Sequence, residues 1–350
     1  MYNCGPNQAR IYFTFLPPST LLSHYPNYFP ATSSATSPST TYLDLRHSFS
    51  IFINHAMDDS STKSVSSPPS AAPVAAATAA DATFGRRCII EPQSKHTHTA
   101  IVLHGRGSFA DEFADDFCDS TLSGSRTLCE KLPGWRWVFP SSKELWSTAF
   151  QEHMPAWFEA HSLTDPTIRQ DLQIDGLLDS VGYVKQLVEE EVEQLGGDSK
   201  KLVLGGISQG GATGLWTLLS LWDTSNAPGA FFAASTWLPF AVDVKNILCG
   251  ETTSAEESNI SAGASNRMID TLTPRNPPLL AQKIPIFIGH GVDDAYVDVE
   301  LGRQVVEVLR QGGRKVEWKE YSGAEEEGHW FKVPDEMDDI YSFLTKALPP

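Results

Sequence analysis

Two hydrophobic patterns alternate along the chain from about residue 87 onward. Short continuous apolar runs predict buried strands, and apolar positions at a spacing of three or four predict helices. The clearest helix is Asp175–Leu195, which Gly196 and Gly197 end. The other predicted elements are strands Thr99–His104, Trp135–Phe139, Leu202–Leu204, Ala230–Ser235, Ile284–Gly289 and Val316–Tyr321, and helices Gln209–Leu221, Val299–Arg310 and Glu336–Ala347. This alternation predicts an α/β fold with a mostly parallel central sheet and helices on both faces.

Residues 1–86 follow neither pattern and are rich in Ser, Thr, Pro and Ala. Such a composition buries too little apolar surface to offset chain entropy, so it predicts a disordered N-terminal extension. The folded domain is then 87–350. Met57 begins a more ordinary stretch, and one hypothesis is that translation starts there. The polar segment 250–275 is predicted to be a surface insertion.

Composition excludes several classes of protein. The hydrophobic fraction of 41% supports a buried core, whereas a net charge of −17 argues against nucleic-acid binding and a polybasic membrane anchor. The five irregularly spaced cysteines indicate neither a disulfide framework nor a metal site. No apolar run is long enough to span a bilayer, and no secretory signal is evident. We therefore expect a cytoplasmic protein with free thiols.

The run 201–212 contains the pattern Gly-x-Ser-x-Gly, with Ser208 between Gly206 and Gly210. In a nucleophile elbow, a sharp strand-to-helix turn strains the serine and exposes its hydroxyl. Glycines two positions before and after leave room for the closely approaching backbone. The pattern alone also fits a simple strand–helix turn, so the rest of the chain must supply an acid, a base and an oxyanion donor.

An acid is expected in the loop after strand Ile284–Gly289, because the order in such enzymes is nucleophile, acid, histidine. Three carboxylates compete there, Asp293, Asp294 and Asp298. Asp298 precedes the helix that begins at Val299 and fits an N-cap. Asp294 is favoured over Asp293 as the acid that orients the histidine.

The candidate general base is His329, in the loop between the last predicted strand and the last predicted helix. A lone histidine is usually a surface residue, but no other histidine follows Asp294. His290 precedes the acid and is assigned to the turn.

The oxyanion hole requires a second backbone N–H from a loop after an early strand. Strand Thr99–His104 leads into Gly105-Arg106-Gly107, whose glycines allow close approach to a substrate carbonyl. We predict the N–H groups of Arg106 and Gln209 as the two donors. The alternative for the first loop is a plain strand-end turn. This chemistry requires no metal and no organic cofactor.

Five sequence blocks go beyond a general serine hydrolase. They are Leu103-His104-Gly105-Arg106-Gly107, His153-Met154-Pro155-Ala156-Trp157-Phe158, Gly205-Gly206-Ile207-Ser208-Gln209-Gly210-Gly211, Trp237-Leu238-Pro239 and His290-Gly291-Val292-Asp293-Asp294. With them, residues 97–348 resemble the acyl-protein thioesterases of the phospholipase/carboxylesterase group of α/β-hydrolases. The Met-Pro-x-Trp-Phe block followed by a long helix is the most discriminating.

The resemblance implies an α/β-hydrolase catalytic domain with Ser208, Asp294 and His329 as its triad. It implies hydrolysis of acyl thioesters or esters, foremost the depalmitoylation of S-acylated proteins. One alternative is a carboxylesterase or lysophospholipase that acts on small or lipid esters, and another is an inactive hydrolase fold that serves as a binding module. Trp157 and Trp237 fit an apolar acyl channel or the core equally well.

The first block departs from the family pattern at two positions. Arg106 stands where the family usually has leucine, and Ser108 where it usually has aspartate. The backbone role of the loop is unaffected, but a cationic side chain near the mouth of the site is expected to alter the choice of substrate.

Overall fold

A computed structural model describes residues 83–249 and 283–349. Of the predicted N-terminal extension only residues 83–86 are described, and they have no regular secondary structure. The predicted insertion 250–275 lies outside the described residues.

The described residues form a central sheet, a separate hairpin and seven α-helices. The strands are β1 Arg87–Ile90, β2 His98–Leu103, β3 Trp135–Pro140, β4 Lys143–Ser147, β5 Glu152–Ala156, β6 Leu202–Ile207, β7 Ala230–Ala234, β8 Ile286–Gly291 and β9 Val316–Tyr321. The helices are α1 Ala110–Asp119, α2 Leu128–Lys131, α3 Gln173–Gln194, α4 Ser208–Leu221, α5 Ala241–Cys249, α6 Val299–Gln311 and α7 Asp335–Ala347.

The seven sheet strands lie in the order β1-β3-β2-β6-β7-β8-β9. Strand β1 is antiparallel to β3, and every other neighbouring pair in this sheet is parallel. Strands β4 and β5 form the separate antiparallel hairpin. The predicted α/β fold with a mostly parallel sheet is therefore confirmed, and the carboxyl ends of β2, β6, β8 and β9 share one edge, where such sheets bind their ligands.

Successive strand residues enter two cores, one on each face of the sheet. In β2, Ile101 and Leu103 pack into the core that contains the apolar faces of α3 and α4. Ala100 and Val102 pack on the opposite face, with Phe113 of α1 among others. Burial on both faces explains why these strands are apolar throughout instead of alternating with polar residues.

The predicted strands and helices all occur, with ends shifted by at most three residues. The largest change concerns His290, which the sequence assigns to a turn. This assignment is wrong, because β8 continues through Gly291 and His290 is a buried strand residue that pairs with Glu320 of β9. The elements that the sequence did not predict are β1, the β4–β5 hairpin, α1, α2 and α5.

Candidate active site

Ser208 follows β6 and begins α4 in a strained backbone conformation. Its φ angle is +54°, in the left-handed region that L-residues rarely adopt. A Cβ atom on Gly206 would lie 2.9 Å from the Leu103 carbonyl oxygen, and one on Gly210 would collide with the same carbonyl. Both flanking glycines are therefore sterically required, as the elbow pattern predicts.

The loop after β2 lies directly against Ser208. A Cβ atom on Gly105 would be 3.4 Å from the Cβ of Ser208. On the side of Ser208 away from this loop, the hydroxyl of Thr236, which follows β7, donates a hydrogen bond to the Ser208 carbonyl oxygen at 2.8 Å. The serine, itself 4% exposed, is thus held between the loops that follow the two strands adjacent to β6.

The acid and histidine loops meet through Asp294 and His329. The Nδ1 atom of His329 lies 2.8 Å from Oδ2 of Asp294. The other carboxylate oxygen, Oδ1, accepts hydrogen bonds from the backbone N–H groups of Tyr296 and Val297, each at 2.9 Å. Burial raises the pKa of Asp294, but the hydrogen bond and charge of His329 and these N–H groups outweigh it and leave the pKa lowered. The carboxylate is therefore ionised and aimed at His329.

The two competing carboxylates have other partners. Asp293 is exposed, and its Oδ2 accepts from the Gly323 N–H at 2.8 Å and the Ser322 hydroxyl at 3.3 Å. Asp298 caps α6 by accepting from the Glu300 N–H, as the sequence predicts. Of the three carboxylates, Asp294 is the one hydrogen-bonded to His329.

His290 lies behind Asp294 in the interior. Its Nε2 is 2.9 Å from the Val297 carbonyl oxygen and 3.5 Å from Oδ2 of Asp294. Burial lowers the pKa of His290, against raising effects from Val297 and Asp294. A neutral ring that donates to Val297 braces the acid loop without neutralising the Asp294 carboxylate.

The side chain of Arg106 is bound to the neighbouring hairpin. Its Nε and Nη2 donate to Met154 Sδ at 3.0 Å and to Ser147 Oγ at 2.9 Å, and its guanidinium lies 5.0 Å from the Phe150 ring centroid. A third bond runs from Nη1 to the Ala160 carbonyl oxygen at 2.8 Å. The sequence predicts that a cationic side chain near the mouth of the site alters the choice of substrate, but it gives no sign of these three bonds.

His104 fixes the beginning of the loop that follows β2. Its Nε2 accepts from the Ser142 N–H at 3.0 Å, so Nδ1 carries the proton that it donates to the Gly105 carbonyl at 2.7 Å. Complete burial lowers the pKa of His104 to about 4, against the opposing bond to Gly105. The ring is therefore neutral at physiological pH and serves as a brace.

The side chain of Gln209 makes contacts that sequence reasoning missed. It is fully buried, and its amide accepts from the Trp157 N–H and donates to the Phe158 carbonyl oxygen, both at 2.8 Å. The only signal was the Trp-Phe pair of the Met-Pro-x-Trp-Phe block, whose partner across about fifty residues no local pattern identifies.

Trp157 and Trp237 are each 1% exposed and belong to the core on the α3 face. The Trp157 indole N–H donates to the His104 carbonyl at 2.9 Å, and Phe158 packs edge-on against Trp237 at 6.1 Å between ring centroids. Core packing, one of the two roles left open by the sequence, accounts for this burial.

Glu336 of α7 is a buried carboxylate beneath β8. Its Oε2 accepts from the Lys332 N–H at 2.9 Å, while Oε1 has no hydrogen-bond partner and lies where a Cβ atom on Gly289 would collide with it. Burial raises the pKa of Glu336 from 4.5 to about 8, although the Lys332 bond lowers it. Between these two pH values the folded protein therefore holds a proton on Glu336 that the unfolded chain releases.

We expect Glu336→Gln to remove a pH-dependent loss of stability. The folded pKa of Glu336 lies above its unfolded value, so its contribution is favourable at low pH and is lost as pH rises toward about 8. The free energy of unfolding of the Gln variant, measured relative to wild type, should therefore rise by roughly 3 kcal/mol from about pH 5 to about pH 8. Denaturant unfolding at each pH measures the difference between the two proteins, in which the opposing effect of His104 cancels.

Asp335→Asn is the matched control, since Asp335 is exposed on the same helix. Parallel pH profiles for wild type and the Glu336→Gln variant would contradict the assignment of a buried proton to Glu336.

The comparison with known proteins decides the family. The profile of the phospholipase/carboxylesterase family matches residues 85–256 and 258–348. The chain belongs to this family. Membership makes the protein a hydrolase of the serine esterase type.

Relatives and solved structures agree with this family. An acyl-protein thioesterase 1 of Gibberella zeae is 29% identical over 261 residues, which cover 73% of this chain and 93% of the relative. One of Candida albicans is 26% identical over 250 residues, 71% and 91% of the two chains. The crystal structure of Zea mays acyl-protein thioesterase 2 superposes with a TM-score of 0.53 at 24% identity, over 75% of this chain and 99% of that chain. This last likeness supports the α/β-hydrolase fold of the family.

Two further observations bear on ligands and membranes. In the described ranges, no group of three or more His, Cys, Asp or Glu side chains is arranged to hold a metal ion. None of the helices in these ranges is long and apolar enough to cross a bilayer.

Proposed function

We propose that this family member is a cytoplasmic acyl-protein thioesterase, with Ser208 as nucleophile, His329 as general base and Asp294 as the acid that orients it. The observation that carries the proposal is the 2.8 Å contact between His329 and a buried Asp294 carboxylate, at the sheet edge where β6 delivers a strained serine. This is the division of roles that a serine hydrolase requires.

In the proposed reaction, His329 takes the proton of the Ser208 hydroxyl while its oxygen attacks the acyl carbonyl. Asp294 stabilises the imidazolium that forms. The N–H groups of Arg106 and Gln209 stabilise the tetrahedral oxyanion, and His329 returns the proton to the leaving thiol. Water then attacks the acyl-serine by the same route and releases the fatty acid.

The choice of thioester as substrate is supported by the relatives. Both fungal relatives described above are acyl-protein thioesterases, and each is covered over more than nine-tenths of its length. The proposed partners are therefore S-acylated proteins. The family also includes enzymes described as phospholipases and carboxylesterases, so lipid and small esters are the second candidate class.

A fluorophosphonate probe and a substrate panel test the proposal. We expect the probe to label the protein at Ser208 with one equivalent per chain. We expect a palmitoylated cysteine peptide to be hydrolysed with a higher kcat/KM than lysophosphatidylcholine or p-nitrophenyl butyrate. Preference for either ester would favour the carboxylesterase or lysophospholipase alternative. Absence of both labelling and hydrolysis would favour the inactive binding module and overturn every catalytic assignment.

A further inference from the structure

One segment of chain binds the side chains of both proposed oxyanion donors. We call residues 154–160 the strap. It begins in β5 and runs toward α3 past the loops that follow β2 and β6. Arg106 donates to the two ends of the strap, at Met154 Sδ and the Ala160 carbonyl oxygen. Gln209 binds its middle, at the Trp157 N–H and the Phe158 carbonyl oxygen.

Backbone contacts join the strap to the same two loops. The Gly107 N–H donates to the Pro155 carbonyl at 2.8 Å, and the Trp157 indole N–H donates to the His104 carbonyl at 2.9 Å. His104, which precedes this loop, and Gly107, which ends it, are therefore also bound to the strap. The position of the strap therefore constrains both the loop after β2 and the loop after β6.

The Gln209 amide is suited to a positional role. Both of its ends are used by backbone groups of consecutive strap residues, and the side chain has no exposed surface. Breaking these bonds leaves a buried N–H and a buried carbonyl oxygen without partners, which is costly. The Gln209 side chain is therefore held in one position relative to the strap. Because the backbone of Gln209 is attached to that side chain, its N–H group is held in place as well.

The Arg106 guanidinium is used for its shape. Its three acceptors are a thioether, a hydroxyl and a carbonyl oxygen, all uncharged. A planar group with donors on three nitrogens spans these acceptors simultaneously, whereas a lysine ammonium acts as a single point of charge. The function of this side chain is thus to bridge the hairpin and the strap.

We propose that the strap sets the separation of the two oxyanion N–H donors, and that Arg106 and Gln209 are positioning residues that act through their side chains on their own backbone N–H groups. The inference rests on the proposed function and deepens it. The proposed function gives a role only to the backbone N–H groups of Arg106 and Gln209, and the inference adds a role for their side chains.

The expected signature is a loss of kcat with little change in KM. The oxyanion exists only in the transition state and the intermediate, so displaced donors cost rate and not ground-state binding. We expect Arg106→Ala and Gln209→Met each to lower kcat by roughly 10- to 100-fold, the range for a misplacement of about 1 Å. The double variant should lose less than the product of the two, since both act through one strap.

Three measurements separate positioning from other causes. Values of kcat are expressed per fluorophosphonate-titrated serine, so that a smaller folded fraction does not lower them. Inhibition by a trifluoromethyl ketone palmitoyl analogue, whose adduct carries an oxyanion, should weaken in proportion to kcat/KM. Arg106→Lys keeps the charge but cannot bridge three acceptors, so it should behave like Arg106→Ala. Arg303→Ala, which removes an exposed ion-paired arginine on α6, is the control.

The outcomes distinguish this inference from the proposed function. An active wild type whose Arg106 and Gln209 variants keep full kcat per titrated site would overturn the strap inference alone. Full activity in Arg106→Lys with loss in Arg106→Ala would show that the charge of residue 106, and not its bridging geometry, supports kcat. A wild type that neither reacts with the probe nor cleaves any ester would overturn both.

Discussion

Replacing Ser208 with alanine should abolish turnover, with kcat lowered by roughly 10⁴- to 10⁶-fold. Without the hydroxyl no acyl-serine forms, and only stabilisation of a directly attacking water remains. Folding should be preserved, because alanine accepts the φ of +54° with the same strain as serine and Ser208 contributes its carbonyl, not its side chain, to the bond with Thr236. The measurement is hydrolysis of the palmitoylated cysteine peptide, with thermal unfolding as the check on folding.

Ser220→Ala is the matched control for this variant. Ser220 lies on the same helix and donates only to the Thr217 carbonyl one turn earlier. We expect wild-type turnover and probe labelling from it. Turnover of the Ser208→Ala protein within tenfold of wild type would show that another residue is the nucleophile.

The elements around this serine could be predicted because their sequences are under strong local constraint. Strands β2, β6, β7 and β8 are buried on both faces of the sheet. Such strands are nearly continuous apolar runs, which is typical of a parallel sheet covered on both faces. The glycines of the elbow are required by contacts of less than 3 Å, so their spacing appears directly in the sequence. The order nucleophile, acid, histidine is a general property of this fold, so the three candidate residues could be proposed from their order along the chain.

Helix α1 was missed although its signal is present. Ala110, Phe113, Ala114 and Phe117 recur at helical spacing and are all buried. Acidic residues between them conceal the pattern in a short segment. The β4–β5 hairpin has weaker signals still, since its strands have five residues each and Pro155 interrupts the second.

Other features depend on contacts between distant parts of the chain. His290 was assigned to a turn because it precedes the acid, yet pairing with β9 keeps it in the sheet. The side chains of Arg106 and Gln209 bind residues about fifty positions away. No local periodicity encodes such a bond, so the sequence proposed their backbone N–H groups as donors but did not indicate these side-chain contacts.

Asp294→Asn should lower kcat by roughly 10⁴-fold while Asp293→Asn remains within a few-fold of wild type. The backbone N–H groups of Tyr296 and Val297 both point at Oδ1 of residue 294. An asparagine must therefore keep its carbonyl oxygen there and turn its NH₂ group toward Nδ1 of His329. That nitrogen then accepts, the ring proton moves to Nε2, and His329 can no longer take a proton from Ser208. Hydrolysis of the palmitoylated peptide across pH measures the loss.

The comparison with Asp293 isolates this tautomer effect from a simple loss of charge. Both substitutions remove one negative charge from the same loop, but Asp293 is exposed and accepts from Gly323 and Ser322, a role that an asparagine oxygen fulfils equally well. Charge alone would make the two variants similar, whereas orientation of the histidine makes them differ by orders of magnitude. If Asp293→Asn abolished turnover and Asp294→Asn kept it, the acid would be Asp293. In that case the 2.8 Å contact of His329 with Asp294 would hold the loops together without taking part in proton transfer.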